Sequence, residues 1–350
     1  MSQTFRELLK KVGSGRHTSK DLSRIEAQTA LELMLQQEAT PAQIGAFLIA
    51  HRIKRPTGTE LAGFLDAYER LGPTLPALPD QQRVVVFSAP YDGRSRTAPV
   101  LPITALILAA SGCPVLLHGG DCMPTKYGVP LIDLWQGLGV DWTHRSLTQI
   151  HQVLSECGLG FVYLPEQFPL AHGLVDFREQ LGKRPPLATT ELLWHPYGGD
   201  HVLISGFVHP PTENMMREAL ALRGIHEFTT VKGLEGSCDL PRDRKAILGV
   251  NRPEQDPHWQ RLILSAGDYE LGGPEVPYYS TAALIEQFQA VLTGQSGELM
   301  PAVLWNAGFY LWHVGSSSSL EQGIQAAENL LLQGTANQVL QQVQQTLSAL

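Results

Sequence analysis

RVVVFSAPYDGRSRTAPVLPITALILAASGCPVLLHGGDCMPTKYG, residues 83–128, decides the fold. It opens with RVVVF, a short β-branched run that reads as a buried strand. The loop SAPYDGRSRTAP (residues 88–99) leads into an apolar helical run over residues 101–110. PVLLHG (residues 114–119) reads as a second strand, which runs into the glycine-rich turn GGDCMPTKYG (residues 119–128). Strand, helix and strand with Gly/Pro turns at the strand ends make a βαβ unit. In open α/β sheets ligands bind beyond the carboxyl ends of the strands. The two turns are therefore expected to share one mouth, and they carry Asp92, Arg94, Arg96, Asp121 and Lys126.

Composition sets the bounds outside this unit. The chain has 350 residues, 43% hydrophobic and 17% charged, an ordinary profile for a folded globular protein. No apolar run reaches the roughly 18 residues that a membrane span needs. The N-terminus is polar and amphipathic without a hydrophobic signal core, so a cytoplasmic location and no membrane partner are expected. The four cysteines, Cys113, Cys122, Cys157 and Cys238, show no metal-ligand spacing and read as scattered thiols. A formal net charge of −8 opposes general binding to polyanions, so any nucleic-acid contact needs a local basic patch.

Upstream, residues 4–72 read as a helical block. Ser23 and Glu26 stand in capping-box spacing, Thr40 precedes Pro41 as N-cap and first helical residue, and a fourth helix spans about residues 58–71. Pro73, Pro76 and Pro79 form a stiff linker. Downstream, residues 131–138 read as helix, 158–165 as strand, 168–186 as one helix ending near Gly182, 201–209 as strand, 211–222 as a helix capped by Thr212, and 227–233 as strand. Residues 240–278 are proline-rich with a strand near 262–265. Four helices over 280–292, 300–313, 320–332 and 336–347 close the chain. The alternation predicts a mostly parallel α/β sheet with a separate N-terminal helical layer.

Three segments carry a family resemblance. EATPAQIGAFLIAHRIK (residues 38–54) with TGTELAGFLDAY, VYLPEQFPLAHGLVDFREQLGKR (residues 162–184), and WNAGFYLW with SLEQGIQAAENLLLQGTA resemble the anthranilate phosphoribosyltransferase family and its pyrimidine nucleoside phosphorylase relatives. The resemblance implies a small helical domain (1–76, joined in space by about 166–188) hinged to a large α/β domain (80–165 and 189–350). It also implies homodimerisation through the N-terminal helices.

Active members of that family hold phosphoribosyl pyrophosphate with a GTGGDG loop, an Asn-x-Ser-Thr helix start, a Lys-His-Gly-Asn strand end and an Asp-Glu pair for magnesium. Glycines let backbone N–H groups reach phosphate, helix starts favour anions, and paired carboxylates hold Mg²⁺. Here the first loop reads FSAPYDG, keeping Asp92 and Gly93 but placing Pro90, which has no N–H, and Tyr91 before them. The strand end reads LLHGG, with His118 and Gly119 kept, Leu117 in place of lysine and Gly120 in place of asparagine. Lys126 matches a later lysine, Arg178 and Arg184 match two arginines near the aromatic acceptor, and the acidic pair becomes Glu235–Gly236. Two arginines, Arg94 and Arg96, stand where ordinary members have small residues. The pattern resembles a divergent branch whose characterised members are nucleic-acid binders.

The candidate phosphate-binding residues are thus Asp92, Gly93, Arg94, Arg96, His118, Gly119, Lys126, Arg178 and Arg184, with Glu235 the one candidate for Mg²⁺ and no organic cofactor expected. Each has a plainer alternative: a tight turn for Asp92–Gly93, solvated charges for the arginines and lysine, a hydrogen-bonded core residue for His118. Trp305, Phe309 and Trp312 share a helical face and read as core. Three functions stay open: a phosphoribosyltransferase-like protein that binds a sugar phosphate in the interdomain cleft, a non-catalytic nucleic-acid or polyanion binder, and a dimeric scaffold around a small-ligand pocket.

Overall fold

The structure, a computed structural model, describes residues 2–15, 17–88 and 93–350. Pro90, Tyr91 and Asp92 of the first loop lie outside these residues.

Four helices open the chain: α1 (Gln3–Gly13), α2 (Arg24–Leu35), α3 (Pro41–Lys54) and α4 (Gly58–Leu71). Their starts follow the expected chemistry. Ser23 and Glu26 form a reciprocal capping box, as do Thr40 with Gln43 and Thr57 with Glu60, and Pro41 is the first residue of α3. Phe5, Ala27, Leu31, Phe47 and Tyr68 are each 0% exposed between these helices. A charged hub is buried with them. The Glu60 carboxylate, also 0% exposed, lies 2.9 Å from Lys54 Nζ and 3.3 Å from His51 Nε2, and accepts from Leu22 N–H at 2.9 Å.

The second unit is built on a seven-stranded sheet: β1 (Val84–Ser88), β2 (Val115–Gly119), β3 (Leu159–Tyr163), β4 (His201–Gly206), β5 (Phe228–Val231), β6 (Ala246–Asn251) and β7 (Trp259–Leu264). Their order is β3-β2-β1-β4-β5-β6-β7. β1 to β5 pair in parallel, while β6 and β7 add an antiparallel edge. β1 and β2 are buried along their whole length, as strands covered on both faces must be.

Around the sheet stand α5 (Leu101–Ala110), α6 (Leu131–Gly137), α7 (Leu147–Cys157), α8 (Leu164–Gln167), α9 (Pro169–His172), α10 (Val175–Leu181), α11 (Pro210–Leu222), α12 (Thr281–Leu292), α13 (Met300–His313), α14 (Leu320–Leu332) and α15 (Thr335–Ala349). α5 is apolar on all sides because it lies between the sheet and the tail helices α13 and α15. Trp305 and Phe309 are buried in this layer and Trp312 partly so, as expected of core residues. The fold is therefore an N-terminal helical domain plus a large α/β domain with a mostly parallel sheet.

Four local expectations change. The single helix expected over residues 168–186 is broken into α9 and α10, because Pro169 starts one piece and Gly173 ends it; α10 does stop at Gly182, in the left-handed region. α11 starts one residue earlier than expected, and Thr212 does not cap it: His209 holds the cap position without a side-chain bond. α7 was not foreseen, although Ser146 and Gln149 form its capping box. β6 was also missed, since Gly249 interrupts an apolar run. The glycine is needed there because a Cβ would stand 2.0 Å from the Trp259 ring of β7.

Candidate anion-binding site

The two turns meet beyond the carboxyl ends of β1 and β2. Arg94 and Val129 exchange backbone hydrogen bonds, Val129 N–H to Arg94 O at 2.8 Å and Arg94 N–H to Val129 O at 3.4 Å. Gly93 makes that approach possible. Its φ is +66°, and a Cβ would lie 2.5 Å from the backbone of Gly128 and Val129. Lys126 then donates to the Gly93 carbonyl at 2.8 Å.

This pairing turns the N–H groups of Ser95, Arg96 and Thr97 toward one point, and the Glu235 carboxylate occupies it. Oε2 accepts from Ser95 N–H at 3.2 Å, and Oε1 from Arg96 N–H at 3.0 Å, Thr97 N–H at 3.1 Å and the Thr97 hydroxyl at 3.0 Å. Lys126 Nζ stands 2.8 Å from Oε2 and Arg96 Nε 3.6 Å from it. Successive N–H groups closing on an anion form a nest, here reinforced by two cations. Burial alone raises the Glu235 pKa, but Lys126 and the N–H groups of Arg96 and Ser95 outweigh it. They hold the carboxyl well below the usual carboxylate range.

Arg94 does not reach into the mouth. The sequence placed it beside Arg96 as a grip for an external anion; the structure buries it at 2% exposure against Asp239, which is 1% exposed. Its Nη2 donates to Thr97 Oγ1 at 2.5 Å, and Asp239 also accepts from Val100 N–H at 3.0 Å. Burial works against charge on both partners, lowering the Arg94 pKa and raising that of Asp239, while each opposes the shift of the other. A guanidinium keeps its proton in proteins, and its charge favours the ionised form of Asp239 against the cost of burial. The loop RSRT thus spends Arg94 on the interior and presents Arg96, 78% exposed along its side chain, at the surface.

His118 and Gly119 end β2 within the domain. His118 is 0% exposed and meets Trp194 edge-on, with ring centroids 5.4 Å apart; burial brings its pKa down to about 4 against the backbone bond at Trp194 that raises it. A neutral buried imidazole suits a core role. Trp194 continues to Tyr68 at 5.8 Å and Phe168 at 5.5 Å, joining both domains through aromatic packing. Arg178 belongs to this second group, 4% exposed with its Nη1 3.7 Å from Glu191 Oε2. Arg184 lies farther along the same segment, with Nη2 3.5 Å from Ala188 O.

The structure therefore brings Gly93, Arg94, Arg96, Lys126 and Glu235 into one cluster and sets His118 and Arg178 along a separate aromatic seam. Near the mouth the Tyr127 hydroxyl donates to Glu179 Oε2 of α10 at 2.6 Å. Asp239, Trp194, Glu191 and Tyr127 were not picked out from the sequence.

Among the described residues, Glu235 as placed does not fit a resident Mg²⁺. Glu235, the carboxylate proposed for it, has both oxygens committed to N–H, hydroxyl and ammonium donors, and its neighbour is Gly236. Among the described residues no group of three or more His, Cys, Asp or Glu side chains is arranged to hold a metal. Nor is any helix among them long and apolar enough to cross a membrane.

The comparisons agree with this architecture. A family model described as the glycosyl transferase family helical bundle domain matches residues 6–72, and one for the glycosyl transferase family α/β domain matches residues 94–337. The anthranilate phosphoribosyltransferase of Chromobacterium violaceum is 26% identical over 323 residues, covering 91% of this chain and 92% of its own. That of Prochlorococcus marinus is 28% identical, with 90% and 88% covered. An uncharacterised protein of Aquifex aeolicus is 28% identical, with 94% and 98% covered. In three dimensions the chain is similar to anthranilate phosphoribosyltransferase from Thermus thermophilus, with a TM-score of 0.78 at 21% identity over 99% of this chain and 100% of that one. It is also similar to the Saccharomyces cerevisiae enzyme solved with PRPP and Mg, with a TM-score of 0.82 at 19% identity over 99% and 98%. Matched in order across both of its domains, the chain belongs to the glycosyl transferase family of anthranilate phosphoribosyltransferase-like proteins.

Proposed function

We propose that this protein binds a phosphate-bearing small molecule, of the sugar-phosphate class, at the mouth formed by residues 93–97 and Lys126, and that it does not transfer phosphoribosyl to anthranilate. The observation that supports the binding is the nest itself: three consecutive N–H groups, Lys126 and Arg96 around one carboxylate-sized position. Such donors recognise an oxyanion through fixed dipoles and charge, without a metal. Leu117, Gly120 and the lone Glu235 speak against transfer, because lysine and paired carboxylates would be needed to neutralise a departing pyrophosphate. No step is routed through Mg²⁺. Homodimerisation through the helical domain is part of the same proposal, supported by Ile25 and Ile53, 76% and 72% exposed on α2 and α3.

Titration calorimetry with PRPP, with and without Mg²⁺, tests the reading. Binding that survives metal removal and drops at least tenfold in Lys126→Ala is expected, with no product when anthranilate is added. Silence toward PRPP, pyrophosphate and phosphate would refute it. A second reading, nucleic-acid binding, is supported by the basic rim of the helical domain, where Arg52 donates to the carbonyl of Arg184 beside Lys183. In that case a DNA shift that weakens steeply with salt replaces the PRPP signal.

A further inference from the structure

We propose that Glu235 is an internal competitor for this site: its carboxylate holds the nest in the place of a ligand oxyanion, and a phosphate binds only when Glu235 swings out. The inference rests on the phosphate-binding reading above and concerns its regulation.

The arrangement is one that a phosphate would require. The Ser95, Arg96 and Thr97 N–H groups converge from one side, the Thr97 hydroxyl joins them, and Lys126 closes the other side. A carboxylate offers two oxygens to these donors, as two oxygens of a phosphate monoester would. The occupant comes from a different part of the chain, 140 residues from Ser95 in sequence, on the short turn after β5. The loop is therefore not folded around a neighbour of its own; it is filled from across the mouth.

The tether has two further properties. Glu235 sits at φ +55°, in the left-handed region that a side-chain-bearing residue enters at a cost. Its side chain is 3% exposed, whereas Arg96 is 78% exposed and Lys126 28%. The donors thus lie at the protein surface beneath a single inserted side chain. Departure of that side chain opens the nest to solvent without requiring either domain to unfold. A site whose open form is a minor population binds with an apparent Kd raised by the inverse of that population. The carboxylate satisfies every donor of the nest, so the open fraction is small and an external oxyanion is correspondingly weak. Arg94 is kept out of this exchange because Asp239 holds it in the interior.

The test uses inorganic phosphate, pyrophosphate and PRPP against the full-length protein by calorimetry. Glu235→Gly removes the competitor and suits the positive φ; Glu235→Asn is a second neutral variant that tolerates the same backbone. Both are expected to bind pyrophosphate at least tenfold more tightly than wild type, and Lys126→Ala added to either is expected to abolish the gain. If wild type binds and neither variant binds more tightly, Glu235 is a structural brace and the inference falls while the function stands. A gain that persists with Lys126→Ala also overturns it, because the new binding then lies elsewhere. If neither wild type nor variant binds any of the three anions, the phosphate reading fails and this inference fails with it.

Discussion

Removing Arg94 should damage the fold far more than it damages ligand binding. Arg94→Met takes away the guanidinium that neutralises Asp239 and leaves a carboxylate at 1% exposure that still accepts from Val100 N–H. Breaking a buried ion pair from one side costs about 3–5 kcal/mol, because the desolvation of the abandoned charge is no longer offset. At about 1.4 kcal/mol per decade, that lowers the folded-to-unfolded ratio by two to four orders of magnitude. The Arg94 bond to Thr97 is lost as well, which removes one brace from the loop that carries the nest. Replacing both partners, as in Arg94→Met with Asp239→Leu, removes the stranded charge and should recover most of the loss, since apolar replacement of a buried pair is often near neutral. Urea denaturation followed by tryptophan fluorescence and far-UV circular dichroism of wild type, Arg94→Met, Asp239→Leu and the double variant yields the coupling energy. A coupling of at least 2 kcal/mol is expected, of the size found for contacting residues in general (about 0.5–3 kcal/mol). An Arg94→Met protein within about 0.5 kcal/mol of wild type, a surface-like effect, that has nevertheless lost phosphate binding would show that Arg94 grips a ligand after all.

Two other outcomes are expected. Burial alone would raise the Glu60 pKa, but His51, the Leu22 N–H and Lys54 bring it down to about 2 from its ordinary 4.5, so its contribution is present above pH 4.5 and is lost as pH falls toward 2. The difference corresponds to about 3 kcal/mol, and urea midpoints from pH 7 to pH 3 should fall more steeply for wild type than for Glu60→Gln; parallel curves would contradict it. Light scattering should give wild type twice its 38.4 kDa chain mass, and Ile53→Glu should shift it toward monomer; a monomeric wild type refutes the dimer.

Much of the fold was legible because its signals are local. The capping box at Ser23, the N-cap Thr40 before Pro41, the β-branched run of β1 and the glycine after α10 all act within a few residues, so reading them needs no knowledge of the rest of the chain. The apolar run of residues 101–110 likewise announced the helix α5. Failures came where a distant partner overrides the local pattern. Gly249 weakens β6 as a strand, yet Trp259 on β7 requires it. Proline and glycine cut the segment around residues 168–182 into the short helices α9 and α10.

The charged residues mark the same boundary more sharply. Sequence alone placed Arg94, Arg96 and Lys126 on two adjoining turns and Glu235 on a third, and it identified a mouth able to concentrate charge. It could not say which carboxylate each cation meets. Arg94 and Arg96 are two residues apart and identical in type, but Asp239 draws one into the interior while Glu235 meets the other at the surface. That choice depends on contacts spanning about 140 residues of chain, from Arg94 to Asp239 and Arg96 to Glu235. Burial decides what a charge is worth, and burial exists only once the sheet and its turns are assembled.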